Sequence, residues 1–149
     1  MEKHRHHQQT RPQHNMISIT PVSLHGADER GSNYIWDCQR TGEFMLCYRN
    51  AGSSSGQHYH EGHSANKNPE IMYLFSGTAE IHWCPLEGDE IVVTEITAPA
   101  RVEIPIRIWH QLIAVTDCCF IELNSIDDVR KDSVRVWRED FEKMIKVKS

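Results

Sequence analysis

The sequence predicts an all-β protein, a barrel or a flattened two-sheet sandwich, with a short helix near its end. Short apolar runs separated by turn residues extend from Met16 to Asn124. No helical segments interrupt these runs, which argues against a layered fold of alternating strands and helices. After Ser133 the apolar spacing changes to that of a helix. A chain of 149 residues is long enough for one domain with its own core.

The predicted strands follow one another closely along the chain. The first runs are MISIT, YIWDC and EFMLCYR, and the polar segment AGSSSGQ follows them. IMYLF and AEIHW flank the turn SGT and therefore predict a hairpin. Beyond the turn PLEGDE come EIVVTEI, ARVEIPI, WHQLIAV and CCFIELN. Eight or more short strands in this arrangement are typical of a sandwich or barrel.

The two ends of the chain differ from this pattern. Residues 1–15 are rich in His, Gln and Arg and predict a disordered tail, which leaves 16–149 as a single domain. At the other end, a helix with Asp132 or Ser133 as its N-cap is expected to pack on the barrel wall. Its predicted apolar face consists of Trp137, Phe141, Met144 and Ile145.

Composition excludes several classes of partner. The net charge of −5 leaves no basic face for nucleic acid. No apolar run approaches the roughly 20 residues that span a bilayer, and the N-terminus lacks the apolar stretch of a secretory signal. The five cysteines are odd in number and lack zinc-ribbon spacing, which favours reduced thiols in the cytoplasm. We therefore expect a small-molecule substrate, and the open edge of the MISIT strand predicts a homodimer.

A histidine pair marks the candidate site. His58 and His60 are two residues apart, so on a strand both side chains point to the same face. Two imidazoles inside a barrel need partners for their ring nitrogens, and one metal ion would satisfy both. With a carboxylate and a third histidine from other strands, such a site suits a divalent transition metal (Fe, Mn, Ni or Zn).

The order of the flanking residues resembles the two motifs of the cupins. In the first motif, Gly52 precedes the histidine pair and Glu70 stands seven residues before Gly77. In the second, Pro105 and His110 match, whereas Arg107 takes the place of a glycine and Ala114 that of an asparagine. The resemblance implies a cupin jelly-roll barrel (a double-stranded β-helix) and four metal ligands. These ligands are His58, His60, Glu70 and His110.

One departure from the first motif leaves the ligand set open. Nine residues separate His60 from Glu70 where the motif has three or four. The extra residues are expected to form a polar loop, and they make Glu61 and His63 alternative ligands. Glu70 is preferred because its spacing to Gly77 agrees with the motif.

Part of the chain is also similar to cupins that act on nucleotide-linked deoxysugars. The segment Asp28-Glu-Arg-Gly31, the strands around His110 and the closing segment 125–146 resemble the sugar 3,4-ketoisomerases. The His-Tyr-His pair is similar to the metal-binding cupin domains of capsule-sugar reductases. The resemblance implies an isomerase or epimerase of a nucleotide-linked keto-deoxysugar, with His58 and His60 as acid and base.

Several assignments stay open at this point. If all three histidines bind metal, another residue must act as the base, and the candidates are Tyr48, Glu80, His82 and Gln111. The substrate-binding candidates are Arg49 and Arg107, which suit a diphosphate, together with Gln111. Alternative functions are an iron-dependent dioxygenase, a metal-free enzyme using the histidines as acid and base, and a sugar-binding module without turnover.

Overall fold

The computed structural model describes residues 15–147. The predicted tail covers residues 1–15, and residues 1–14 of it lie outside the described range. The strands are β1 (Ser18–Pro21), β2 (Ser23–Asp28), β3 (Gly31–Ile35), β4 (Met45–Arg49), β5 (Ser54–Tyr59), β6 (Glu70–Ser76), β7 (Thr78–Pro85), β8 (Val92–Thr97), β9 (Ala100–Ile104), β10 (Ile108–Ala114), β11 (Cys118–Glu122) and β12 (Val134–Arg135). The helices are α1 (Ile126–Lys131) and α2 (Arg138–Lys146). Strands dominate, and both helices follow the last long strand, which confirms the predicted fold class.

Ten of the strands form two five-stranded antiparallel sheets. The first has the order β1-β9-β6-β11-β4 and the second has the order β12-β5-β10-β7-β8. Alternate residues of each strand point between the sheets and form the main core, with members such as Leu74, Ile81, Val102 and Phe120. This arrangement of two packed sheets is a jelly-roll barrel.

The strand order brings the predicted ligands to the middle of the molecule. β6, which begins at Glu70, is the central strand of the first sheet, and β10, which carries His110, is the central strand of the second. β5 pairs with β10 so that His58 lies directly opposite His110. The two histidines of one sheet can therefore face Glu70 of the other.

The end of the chain differs from its prediction. Val134 and Arg135 do not begin a helix, because they pair with β5 as a short edge strand. Helix α2 starts only at Arg138, with Trp137 as its N-cap. Ser125 caps a separate helix, α1, through a capping box with Asp128.

Helix α2 packs on the outer face of the second sheet, as expected. Phe141 is fully buried and stacks on Trp109 of β10, with ring centroids 4.8 Å apart. Ile145 is buried as well, whereas Trp137 and Met144 are exposed. Two of the four residues of the predicted apolar face are therefore buried against the sheet, and the other two are exposed.

A third sheet, the hairpin of β2 and β3, was not predicted as a unit. Its turn is the Asp28-Glu-Arg-Gly31 segment, in which Arg30 pairs with Asp28 at 2.7 Å. Leu24 and Ile35 of this hairpin are more than half exposed. Isolated two-stranded sheets are marginally stable in water, so we expect this hairpin to be less stable than the two five-stranded sheets.

None of the helices in residues 15–147 is long and apolar enough to cross a membrane. No two of the cysteines in residues 15–147 form a disulfide. Cys118 is buried and Cys119 is half-buried, which agrees with neighbouring residues of a strand pointing to opposite faces.

Gly77, the last residue of the first cupin-like motif, connects β6 to β7 with a φ of +91°. A Cβ at this position would clash with the Asp117 carbonyl oxygen and lie 2.9 Å from two further side-chain atoms. We predict that Gly77→Ala lowers the unfolding free energy by roughly 3 kcal/mol, since backbone strain and overpacking each cost about 1–3 kcal/mol.

Gly42 offers a matched control for this prediction. Its φ is +110°, but a Cβ there would meet nothing within 4 Å. Gly42→Ala should therefore show the strain alone, measured by urea denaturation beside Gly77→Ala. Equal losses in the two variants would mean that the clash at Gly77 is unimportant.

Candidate metal centre

Four predicted ligands converge between the two sheets. The structure places the donor atoms of His58, His60, Glu70 and His110 within 4.8 Å of one another. His60, Glu70 and His110 are buried, and His58 is half-buried. The three imidazole rings lie 4.8–5.2 Å apart between centroids. The long spacing between His60 and Glu70 therefore does not separate their side chains.

Backbone carbonyls fix the tautomers of two of these histidines. The Nδ1 atom of His60 donates to the carbonyl of Asp132, and that of His110 donates to the carbonyl of Ile108 at 2.9 Å. A carbonyl oxygen can only accept a hydrogen bond, so each Nδ1 carries the proton. In a neutral ring, each Nε2 then presents a lone pair to the centre of the cluster. This arrangement is the usual one for metal-binding histidines.

Both lone pairs point toward the same carboxylate oxygen. Glu70 Oε2 lies 2.8 Å from His60 Nε2 and 3.1 Å from His110 Nε2. His110 Nε2 is buried, and it is not aligned for a hydrogen bond despite this short distance. Three acceptors cannot satisfy one another, but a cation among them would serve all three. The donor set of three imidazoles and one carboxylate thus fits a divalent transition metal.

A buried lysine contacts the other oxygen of the same carboxylate. Lys67 Nζ lies 3.1 Å from Glu70 Oε1, and the lysine side chain is 1% exposed. Burial raises the pKa of Glu70, Lys67 is the strongest influence in the other direction, and the pKa is well below its ordinary value. Glu70 is therefore ionised, with Oε1 occupied by Lys67 and Oε2 directed at the histidines.

His58 stays neutral in this environment. Burial, together with the neighbouring His110, lowers the pKa of His58 to about 2. A neutral imidazole is the form that binds a metal. The same neutral ring is a weak proton acceptor, which argues against His58 as a general base.

Asp132 holds the inserted loop against the site. Its carboxylate accepts hydrogen bonds from the backbone N–H groups of Glu61, Gly62 and Ser64 at 2.7–3.1 Å. Burial raises the pKa of Asp132, but these donors outweigh that effect and lower it. Because the carbonyl of the same residue orients His60, Asp132 couples the loop to the ligand geometry. Its sequence position suggested only a helix cap.

A small cavity opens beside the cluster. It has a volume of about 40 Å³, and its polar lining includes His58, Glu70, His110, Ser55 and Glu122. This volume admits a few water-sized groups. A larger molecule can place only its reacting edge there. Glu122 was not among the residues that the sequence singled out.

The two alternative ligands lie apart from the cluster. His63 is exposed, and Glu61 forms an ion pair with Arg107 at 3.0 Å. Arg107 itself has a φ of +61°, the left-handed conformation that explains why the cupin motif has glycine at this position. Its guanidinium is paired with Glu61 and is half exposed.

Arg49 contacts two residues that line the cavity. Its Nε donates to Ser55 Oγ at 2.7 Å, and its guanidinium lies over the ring of Phe120 at 5.4 Å. Both Ser55 and Phe120 line the cavity. Of the two predicted phosphate-binding arginines, Arg49 is thus the one adjacent to the candidate site.

The remaining predicted residues lie on outer faces of the sheets. Gln111 and His82 both contact Arg138 of helix α2, at 3.0 and 2.8 Å. Glu80 points the same way, since it lies 3.4 Å from His82. Tyr48 is 72% exposed. None of these four lines the cavity, because strand alternation turns them away from the inward residues at neighbouring positions.

Comparisons by sequence found no relatives. No family model matches the chain, and no curated protein matches it.

Comparisons by structure found several similar folds. The sugar 3,4-ketoisomerase QdtA of Thermoanaerobacterium thermosaccharolyticum, solved with TDP, has a TM-score of 0.59 at 15% identity, covering 89% of this chain and 96% of QdtA. The 3'-monoepimerase ChmJ of Streptomyces bikiniensis, solved with dTDP-quinovose, has a TM-score of 0.59 at 13% identity, covering 72% and 62%. The capsular polysaccharide assembling protein CapF of Staphylococcus aureus has a TM-score of 0.54 at 21% identity, covering 78% of this chain and 34% of CapF.

At these identities the likeness defines the fold. The two-sheet barrel and the inward position of both cupin-like motifs agree with it. The chain therefore has the cupin jelly-roll fold, which these three proteins share.

Proposed function

We propose that this protein is a metal-dependent isomerase or epimerase of a nucleotide-linked keto-deoxysugar. The observation that carries the proposal is the inward cluster of three histidines and Glu70 at the end of a small cavity. The fold neighbours that act on sugars with the same barrel support it. The cupin fold supports several kinds of chemistry, so the proposal depends on the residues of the cluster and not on the fold alone.

His58, His60, Glu70 and His110 would hold the metal. A divalent metal at this place would supply positive charge for an oxygen that becomes negative during enolisation. The chain's own residues keep the ligands in order. Backbone carbonyls orient His60 and His110, and Lys67 holds the far oxygen of Glu70.

The substrate would enter with its keto edge first. The cavity volume of about 40 Å³ accommodates a carbonyl and its neighbouring carbon, while the rest of the sugar nucleotide lies outside. Arg49 beside the cavity would pair with the diphosphate, because a guanidinium matches phosphate oxygens bidentately.

Deuterium exchange tests the proposal. The probe is TDP-4-keto-6-deoxyglucose, a compound bound in one QdtA structure. In deuterated water, the metal-loaded protein should exchange the hydrogen on the carbon next to the ketone. Chelator-treated protein and His58→Ala should not exchange, whereas the exposed His63→Ala should behave like wild type. Absence of exchange with keto-sugar nucleotides, combined with iron-dependent oxygen uptake, would favour the dioxygenase instead.

We also propose that the protein is a homodimer. β1 is an edge strand of the first sheet, and the adjoining β2–β3 hairpin exposes Leu24 and Ile35. A second chain on this side would cover both features. Light scattering should give twice the chain mass of 17.3 kDa.

A matched pair of variants locates this interface. Ile35→Glu should shift the mass to that of one chain, while Val93→Glu on β8, which is similarly exposed, should not. A single-chain mass for the wild type at micromolar concentrations would contradict the proposal.

A further inference from the structure

Glu122 is a second carboxylate in the barrel interior. It follows Cys118 and Phe120 at intervals of two on β11, and both of those residues are buried in the main core. The Glu122 side chain accordingly lines the same cavity as His58, Glu70 and His110. The residue is half-buried, so its carboxylate is accessible from the cavity.

The strand register fixes its relation to the metal-binding cluster. Glu122 lies directly opposite Met72 of β6, and Glu70 is two residues from Met72 on the same face. Diagonal neighbours of this kind are about 7–8 Å apart. Glu122 is outside the four-residue ligand cluster, and both carboxylates line the same cavity, where a bound substrate would lie.

The surroundings of Glu122 raise its pKa above the ordinary value. Burial raises the pKa, and the negative charge of Glu70 raises it further, against the opposing effects of Lys67, Asn124 and Arg49. A carboxylate with a raised pKa is a better base and can also return the proton as an acid. The histidines lack this freedom, since all three belong to the proposed ligand cluster and the Nδ1 atoms of His60 and His110 contact backbone carbonyls.

We propose that Glu122 is the general base of the reaction, the catalytic residue that removes the proton next to the ketone. This inference rests on the proposed function, and it names a group that neither the motifs nor the resemblance identified.

The proton transfer balances within the substrate and this one side chain. The Glu122 carboxylate accepts the proton, the C–H electron pair forms the C=C bond of an enediolate, and the former ketone oxygen takes the negative charge. Return of the proton from Glu122 to the neighbouring carbon, with the hydroxyl proton passing between the two oxygens, moves the ketone. This route regenerates the carboxylate without an oxidant or reductant. Inversion of the first carbon would require a second acid on the opposite face, so Glu122 alone accounts for the isomerase reaction.

The test compares three variants in the exchange assay with TDP-4-keto-6-deoxyglucose. Glu122→Gln keeps the shape of the side chain but cannot accept the proton, and we expect exchange to fall by about 100-fold or more. Glu122→Asp should recover part of the rate. Glu95→Gln, at an exposed position of β8, is the control and should match wild type. Metal content and melting temperature are measured for every variant.

The outcomes separate the two proposals. Loss of exchange in Glu122→Gln, with metal content unchanged and partial rescue by aspartate, supports the inference. Wild-type exchange that persists in Glu122→Gln overturns it and leaves the proposed function standing. Loss of metal together with exchange also overturns it, because Glu122 would then act as a ligand or a support for the site. If the wild type itself shows no exchange, the proposed function fails and the role of Glu122 fails with it.

Discussion

Replacing His60 with alanine is expected to reduce metal affinity by more than about 100-fold. Loss of a group that merely orients a ligand costs about 10–100-fold, and His60 would be a ligand itself. The variant also leaves Glu70 Oε2 without its 2.8 Å neighbour and removes the contact with the Asp132 carbonyl. Titration of chelator-treated protein with Zn²⁺, followed by calorimetry, measures the effect.

His63→Ala is the matched control for this experiment. His63 lies three residues away, in the inserted loop, and is exposed. The variant should bind Zn²⁺ like the wild type. If both variants lose affinity equally, the four-residue ligand set is wrong and the loop contributes a donor. If neither variant loses affinity, the cluster is not a metal site, and the histidines must be explained by acid–base chemistry.

The sequence predicted that these four side chains meet, partly from strand spacing and partly from the resemblance to the cupin motifs. His58 lies in β5 and His60 follows one residue beyond the end of that strand, yet their rings still lie 4.8 Å apart, as alternation along an extended chain predicts. Glu70 could be chosen over Glu61 and His63 only through its spacing to Gly77. The structure explains that spacing, since Gly77 is the one residue between β6 and β7.

The residues that sequence reasoning missed depend on packing across long separations. Asp132 contacts His60 over 72 positions of sequence, so no local pattern reveals the contact. Lys67 resembled a surface residue of a polar loop, but the loop folds inward and buries it beside Glu70. Glu122 is the last residue of an apolar strand, where a charged residue ordinarily marks the strand end. Its inward direction follows from its position on β11, two residues after Phe120 and four after Cys118, which are both buried. This alternation is visible in the sequence.

The helix start was misplaced for a related reason. Val134 and Arg135 have apolar and charged side chains that suit a first helical turn. Pairing with the free edge of β5 satisfies their backbone groups instead. An edge that needs a partner is a property of the assembled sheet and is absent from the local sequence.

Lys67→Met is expected to lower the unfolding free energy of metal-free protein by about 3–5 kcal/mol, the range found when one partner of a buried ion pair is removed. Lys67 is 1% exposed and is the cation that contacts Glu70 Oε1 at 3.1 Å. Without it, the buried carboxylate of Glu70 loses the positive charge that contacts its Oε1 atom. Urea denaturation after chelator treatment measures the loss. Lys131→Met is the control, because its ion pair with Asp127 is two-thirds exposed and should contribute little to stability.

Two further measurements establish the cause of this loss. The double variant Lys67→Met with Glu70→Gln should regain much of the lost stability, since the uncompensated charge is removed with its partner. Saturating Zn²⁺ should stabilise Lys67→Met more than it stabilises the wild type, because a bound cation replaces the missing positive charge beside Glu70. If Lys67→Met is as stable as the wild type without metal, the lysine is not the group that compensates Glu70. If Zn²⁺ stabilises both proteins equally, the metal and the lysine do not share this carboxylate.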